Sequence, residues 1–525
     1  MKSNLNSNPH SNMNPKTNTE SKTETLFNAI TDIPDEYILE ASDHVFKQSK
    51  AEKQPLLARL TGRTSGFRAF RYAAPIAAAL CLSLLAGIFF WPAPMATSAY
   101  AIAEAHYPAM TAYPIEEDFY DPQGNLDYDA YSVQYTAWEA DQQEQNRPDG
   151  FADGIESFIA ASSQQFVAGD DNIVYSPLNV YMALGVLTET ADGNSRDQLL
   201  NVLGSTDLES LRRQASDIWN VSYNNDGLYT SILANSLWLN EDLPINEDTL
   251  QTIADNYYTS SFSGPMGSRK FDKALQNWLN ENTGGLLEEQ VENETFTETT
   301  VLSIASAIDY STTWSNRFSA AQTASATFHT PDGAITCDFM NQTSQRRYYW
   351  GEQFTAVKQH EQAGGSMLFL LPNEDVSASS LLHDPEVLNF IFSDLSGNSW
   401  DNSDTYIVNF SVPKFDITTR LSLIDGLKQL GITDIFDAET ADFSSLTDMS
   451  GELELQLSQI DHTARITIDE DGYDAAAYTL ISADTSSAES ESQPLDFVLD
   501  RPFLFVTLSP DGLPMFIGIV NQPNR

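Results

Sequence analysis

Cysteine is nearly missing from this chain. Its 525 residues hold two, Cys81 and Cys337, and neither has a metal-ligand neighbour. That excludes a disulfide framework and a paired-cysteine zinc site, and it leaves the redox compartment open. Positive charge is scarce as well: 27 Lys and Arg stand against 74 Asp and Glu, a formal net charge of -47. The imbalance is uneven. Residues 1–72 hold 10 basic and 8 acidic side chains, so the other 453 residues carry 17 and 66. A surface that acidic repels phosphate and excludes nucleic acid as a partner, and it favours solubility. The dipeptide Gly-Lys does not occur, so there is no P-loop; there is no G-x-S-x-G elbow and no H-E-x-x-H helix. Nothing selects a triad from the seven histidines, and His462 reads as a satisfied buried histidine rather than a base. The chain is expected to be no enzyme and to need no cofactor or metal.

What is present begins with one long apolar run. Residues 73–91, AAPIAAALCLSLLAGIFFW, carry no charge. At 19 residues they match a helix spanning a hydrocarbon core of about 30 Å. Lys47, Lys50, Lys53, Arg59, Arg63, Arg68 and Arg71 precede the run, and the next Lys or Arg is Arg147. The asymmetry sets a cytoplasmic N-terminus and an extracytoplasmic remainder at the cell membrane, with Trp91 at the far interface. The competing reading is a secretory signal cleaved near Ala99-Tyr100-Ala101, against which stands a 72-residue charged leader.

Four segments follow. Residues 1–72 form the cytoplasmic segment, with a polar start and apolar spacing from Leu26 to Phe46 that reads as a docking helix or a membrane-proximal spacer. Residues 73–91 are the transmembrane helix. Residues 92–146 contain Pro, Tyr, Ala and acids with no Lys or Arg and read as an extended spacer. Residues 147–525 form one mixed α+β domain; a hydrophobic content of 41% suffices for its core. GFADGIESFIAASSQQFVA is amphipathic and helical, and NIVYSPLNVYMALGVLTET is a short strand, a Ser-Pro turn and a helix. A second helix opens at Gly193-Asn194-Ser195 with Ser195 as its N-cap. SMLFLLP, YIVNFSVPKF, ITID, DFVLDRPFLFVTL and MFIGIV read as strands; FDKALQNWLNENTGG and LSLIDGLKQLG read as helices closed by Gly.

An ordered set of motifs in residues 147–525 resembles the serpin family. NIVYSPLNVYMAL is similar to its early strand and Ser-Pro helix start. ALQNWLNENTGGLLEEQV, then Trp314 in TTWSNRF, resembles its W-x-x-x-x-T-x-G and breach tryptophan segments. VPKFDI, LKQLGITDIFD and ADFSSLTD resemble its central stretch, HTARITIDEDGYDAAAYT its hinge, and DRPFLFVTLSPDGLPMFIGIVNQP its C-terminal signature.

The resemblance implies a large mixed and antiparallel sheet, flanking helices and an exposed reactive loop. It implies a monomeric serine protease inhibitor: a protease cuts the loop, is held as an acyl-enzyme, and the cut loop enters the sheet as a new strand. The hinge is Glu470, Gly472, Tyr473, Asp474, Ala475, Ala476 and Ala477. Small side chains there lose little entropy on insertion, Gly472 can turn, and no Pro lies between Glu470 and Gln493. The bland reading of Ala475–Ala477 is a linker fragment. Tyr473 stands where the family has a small residue, and as the first residue to enter it is expected to slow insertion. The shutter under the opening is Ser176, Asn179, Ser306 and His462, with Asn179 and Ser306 exchanged relative to the family; the exchange reads either as a swapped hydrogen bond between them or as a looser shutter. Counting from Gly472 places the scissile bond at Ser486-Ser487, within a window from Thr485 to Glu489 set by the long span from Gly472 to Pro502. Residues 473–499 contain no Lys or Arg, which disfavours a trypsin-like target and suits an elastase-like or subtilisin-like one, with an acid-selective protease second. The alternative is a noninhibitory serpin, a surface binding module or a protease substrate; a third reading couples an extracellular event to the cytoplasmic segment.

Overall fold

The apolar runs of the domain fold into two sheets with helices on their faces. The computed structural model describes residues 98–525 except 145–147, 286–290, 293, 450–454, 474–493 and 524–525. In chain order these residues form β1 (Ala101–Ala103), α1 (Tyr128–Glu144), α2 (Ile155–Phe166), β2 (Ile173–Tyr175), α3 (Pro177–Thr190), α4 (Gly193–Val202), α5 (Leu208–Ser222), β3 (Asn224–Asn225) and β4 (Thr230–Asn240). Next come α6 (Glu247–Tyr257), β5 (Thr259–Gly264), α7 (Arg269–Glu281), β6 (Leu302–Thr313), β7 (Ala324–Thr330), β8 (Gly333–Trp350), β9 (Phe354–His360), β10 (Ser366–Pro372) and α8 (Pro385–Ile391). The last elements are β11 (Ser403–Pro413), β12 (Phe415–Ser422), α9 (Ile424–Leu430), β13 (Ile460–Ile468), β14 (Gly472–Tyr473), β15 (Leu495–Val498), β16 (Phe503–Leu508) and β17 (Pro514–Val520).

The first sheet runs β1-β5-β4-β6-β14-β13-β12, with β3 beside β4. It is mixed: β4 is parallel to β5 and antiparallel to β6, and β13 is parallel to β6 and antiparallel to β12. The second runs β15-β11-β8-β9-β10-β16-β17-β2, with β7 beside β8. Along β6 alternate residues face opposite ways. Ile304, Ile308 and Tyr310 enter the main core, while Ala305 and Ala307 meet a smaller core with Trp238, Phe271 and Trp278 under α7. Helix α3 is buried on every side, as an all-round apolar helix must be, and carries Pro177 in its first turn.

The membrane-spanning helix expected at 73–91 lies outside the described residues, and among those residues no helix is long and apolar enough to cross a membrane. Two local readings are corrected. The N-cap of α4 is Asp192, whose carboxylate accepts from the Gly193 N–H at 2.8 Å; Ser195 is inside the helix and buried. Residues 98–144 are no extended tether. β1 pairs with the otherwise open edge of β5, Ala101 opposite Phe262. Tyr107 packs on Trp219 at 5.0 Å between ring centroids, and the Trp138 indole donates to Asp226 at 2.9 Å. The tyrosines that made the stretch look like a linker are the side chains that dock it.

Candidate functional site: hinge and sheet opening

β6 and β13 pair directly only at one end, Ile460 to His462 against Ile304 to Ser306. Beyond that they part, and β14 sits between them at the other end. Gly472 faces Thr313, and Tyr473 faces Thr312 on one side and Ile468 on the other. A five-residue interval, 307–311 on β6 and 463–467 on β13, separates the two contacts.

The closed end holds the expected shutter residues together. Ser176, Asn179, Ser306 and His462 are all buried. The Ser176 N–H donates to His462 Nε2 at 3.1 Å, and the imidazole lies edge-on to Tyr175 at 5.4 Å. Burial pushes the His462 pKa down to about 4, so the ring is neutral at physiological pH. Of the two readings of the exchange, the swapped bond fails: Asn179 and Ser306 do not bond each other. Asn179 Oδ1 accepts instead from Asn235 Nδ2 at 3.2 Å. Ser176 Oγ, Ser306 Oγ and His462 Nδ1 have no protein partner in reach. Asn235 was missed, although a buried Asn inside the apolar run ILANSLWL is a sequence signal that it must find a partner.

The hinge end is tied by a compact turn. Asp469 Oδ1 accepts from the N–H groups of Asp471 and Gly472, and the Asp469 N–H donates to Gly472 O at 2.9 Å. The Glu470 carboxylate meets Lys414 Nζ and the Thr323 hydroxyl, both at 2.7 Å. Trp314, buried at 1% exposure, donates through its backbone N–H to Asp471 O at 2.9 Å and through its indole to Asp469 O at 3.0 Å. Arg317 adds an ion pair to Asp471 at 3.1 Å. Only glycine fits at 472: a Cβ there would lie 2.2 Å from Thr312 O and 2.7 Å from Thr313 Cα, both backbone atoms.

Tyr473 overturns the expectation attached to it. It is not poised outside the sheet but is already in it, with 1% exposure. Its ring stacks on Tyr310 at 5.5 Å and 17°, and meets Trp314 edge-on at 5.3 Å. Its hydroxyl hydrogen-bonds Glu361 Oε1, while the Tyr310 hydroxyl donates to Glu361 Oε2 at 3.0 Å. Glu361 is buried, and desolvation raises its pKa to about 8 against the smaller opposing effect of the two phenols. The backbone bridge between Trp314 and Glu361, and the Gln362 N–H on Thr313 O at 2.8 Å, pin this carboxyl over the end of β6. Neither Tyr310 nor Glu361 was expected from sequence. Glu361 stands 112 residues from Tyr473 and carries no local signal. Asp474, Ala475, Ala476, Ala477, Ser486 and Ser487 lie outside the described residues.

Among the described residues no group of His, Cys, Asp and Glu is arranged to hold a metal. Chemically, the site offers a strand position between β6 and β13 with a polar end at His462 and an aromatic end at Tyr473.

Comparison with known proteins gives the same picture over the same stretch. The family model described as Serpin (serine protease inhibitor) matches residues 155–523. Serpin-Z2A of Triticum aestivum is 27% identical over 373 residues, covering 68% of this chain and 91% of its own. Neuroserpin of Mus musculus is 27% identical over 366 residues, covering 67% and 87%. Among solved structures, the native state of the thermophilic serpin tengpin superposes with a TM-score of 0.63 at 25% identity, over 72% of this chain and 96% of that one. A thyroxine-binding globulin complexed with thyroxine superposes with a TM-score of 0.60 at 21% identity, over 70% and 99%.

Proposed function

Given that the chain belongs to the serpin family, whose members are generally protease inhibitors, we propose that it traps serine proteases covalently by inserting its own cut loop into the first sheet. One observation carries the reading: β6 and β13 do not pair with each other over residues 307–311 and 463–467, and the residue that starts the loop already occupies the first position between them. Continuing β14 in the register of Tyr473 with Thr312 and Ile468 sets Ala475 between Tyr310 and Ile466, and Ala477 between Ile308 and Ala464. Alternation turns these small side chains toward the core. Two further steps bring Thr479 between Ser306 and His462, where hydroxyls lack protein partners. Insertion adds ladder hydrogen bonds on both sides and removes the interval.

In the covalent step the protease serine Oγ attacks the carbonyl carbon of Ser486, and the Ser486–Ser487 bond breaks. The Ser487 amine leaves with a proton, and the loop stays joined to the protease as an ester. Fast insertion then carries the ester away before water cleaves it. With no Lys or Arg in residues 473–499, the expected targets are elastase-like or subtilisin-like. The reading places the domain outside the cell, held at the membrane by residues 73–91.

A noninhibitory role is the second reading. The exchanged Asn179 and Ser306 make no bond to each other, and a structural neighbour of the same fold is by its name a thyroxine-binding globulin. The test is a denaturing gel of residues 92–525 mixed with elastase-like and subtilisin-like proteases. A covalent band, with a released peptide beginning at Ser487, is expected. Complete cleavage without adduct, and no gain in thermal resistance of the cut chain, would exclude trapping.

A further inference from the structure

Glu361 is the least explained group in the molecule. It is a carboxyl at 2% exposure, and the ion pairs among the described residues do not include it. Its carboxyl bonds two phenols: Tyr310 from β6 at Oε2 and Tyr473 from β14 at Oε1. Around this group also stand Trp314, the turn at Gly365 beside Leu508 of β16, and β17, which brings the apolar Phe516 to Tyr310 at 6.3 Å; none of these carries a charge. Tyr229 acts on Tyr310 from the approach to β4. His360 precedes Glu361 but responds to burial, Lys358, Arg346 and Asp394. Both phenols donate to this carboxyl, and burial without a paired cation among the described residues favours its neutral form.

We propose that Glu361 is a positioning residue that latches the hinge, its buried carboxyl bridging the Tyr473 and Tyr310 hydroxyls to hold Tyr473 in the sheet and releasing it when the carboxyl ionises. Two consequences follow. With the first residue seated, insertion starts from a formed pair of contacts, and the bulk of Tyr473 ceases to be an obstacle. The seat is also tied to pH. The seated state binds the proton, and the released state exposes the carboxyl to water and lets it go. Raising the pH therefore favours release, and the effect levels off once Glu361 is ionised in both states, above about pH 8. The hinge seat itself is independent of the proposed inhibition; its role in starting insertion rests on that reading.

The test is hydrogen exchange of the intact chain, without protease, followed in the peptides carrying β14 and the Tyr310–Trp314 end of β6. Corrected for intrinsic exchange, protection is expected to fall about tenfold per pH unit between pH 6 and 8 in the wild type, the slope for one released proton. Glu361→Gln keeps a neutral donor and acceptor and cannot ionise, so its protection should stay high and flat with pH. Glu361→Ala should lose protection at every pH, and Tyr473→Phe should lose most of it at pH 6. Equal pH slopes in wild type and Glu361→Gln, or an unprotected hinge at pH 6, would overturn the latch. Failure to trap any protease would leave these exchange results unchanged, so the two readings fail separately.

Discussion

His462 and Glu361 predict a specific proton balance on unfolding. His462 is neutral in the fold, with its pKa lowered from 6.5 to about 4 by burial. Unfolding lets it take up a proton at any pH between those values, so its contribution to stability is whole above pH 6.5 and is lost as the pH falls toward 4. Glu361 is protonated in the fold, its pKa raised from 4.5 to about 8. Unfolding makes it give up a proton, so its contribution is whole below pH 4.5 and is lost as the pH rises toward 8. At ~1.4 kcal/mol per pKa unit the two effects are worth roughly 3 and 5 kcal/mol, large for a domain. Between about pH 4.5 and 6.5 the slopes cancel, and above 6.5 only the Glu361 term remains, lowering stability by about 2 kcal/mol up to pH 8. Proton counting in a pH-stat during guanidinium unfolding reads this directly, even where unfolding is irreversible. At about pH 5.5, His462→Gln should release ~0.9 proton more than wild type, and Glu361→Gln should take up ~0.9 more. At about pH 7.2, Glu361→Gln should fall short of wild-type release by a similar amount, while His462→Gln should nearly match wild type. Variants that track wild type within a few tenths of a proton at both values would refute the buried, oppositely shifted pair.

Two other perturbations test the geometry. Gly472→Ala places a Cβ against Thr312 O and Thr313 Cα, so it should expel β14; we expect hinge exchange at least tenfold faster with the unfolding temperature of the domain shifted by a few degrees at most. Tyr107→Ala removes one ring from the stack that Trp219 makes with Tyr223 at 4.6 Å and Tyr258 at 3.6 Å, and should cost about 1 kcal/mol and speed proteolysis of residues 98–144; unchanged proteolysis would mean the segment is held elsewhere.

The elements that sequence made legible are those whose signal is local. The continuous apolar run VYMALGVL inside PLNVYMALGVLTET marks a buried helix, and FDKALQNWLNE shows its apolar face in its spacing. The family motifs fix Ser176, His462, Glu470 and Trp314; Ser176 bonds His462 at one end of the β6–β13 interval, and Glu470 and Trp314 stand at its other end. Three things were hidden. Asp192 competes with Ser195 for the cap because both are good acceptors three residues apart, and the turn at Gly193, with φ of 52°, decides between them. The docking of residues 98–144 depends on rings at irregular spacing that meet Trp219 and Asp226 far along the chain. The seat of Tyr473 depends on Tyr310 and Glu361, brought from β6 and from the turn after β9. A tyrosine read against the family pattern looks like an obstruction; with a buried acid and a second ring waiting, it is a plug of the right shape.

That plug explains how β6 and β13 stay apart between their two contacts. The interval between Tyr473 and the His462–Ser306 contact spans five residues, about 17 Å of strand. If β6 and β13 closed along it, the aromatic end would have to expel Tyr473 and strand a buried carboxyl. If Tyr473 left by itself, Glu361 would lose one of its two phenols and gain water, which its ionisation favours. The polar end resists opening for the mirror reason: parting β13 from β6 there would wet His462, which then protonates. Each end is thus held by a buried group in its neutral form, one guarding against base and the other against acid. Both locks are engaged together only between about pH 4 and 8. Outside that window the sheet should open at the hinge on the alkaline side and at the shutter on the acid side. Exchange at β14 and at residues 460–462, compared at pH 4 and pH 9, should therefore reverse in order.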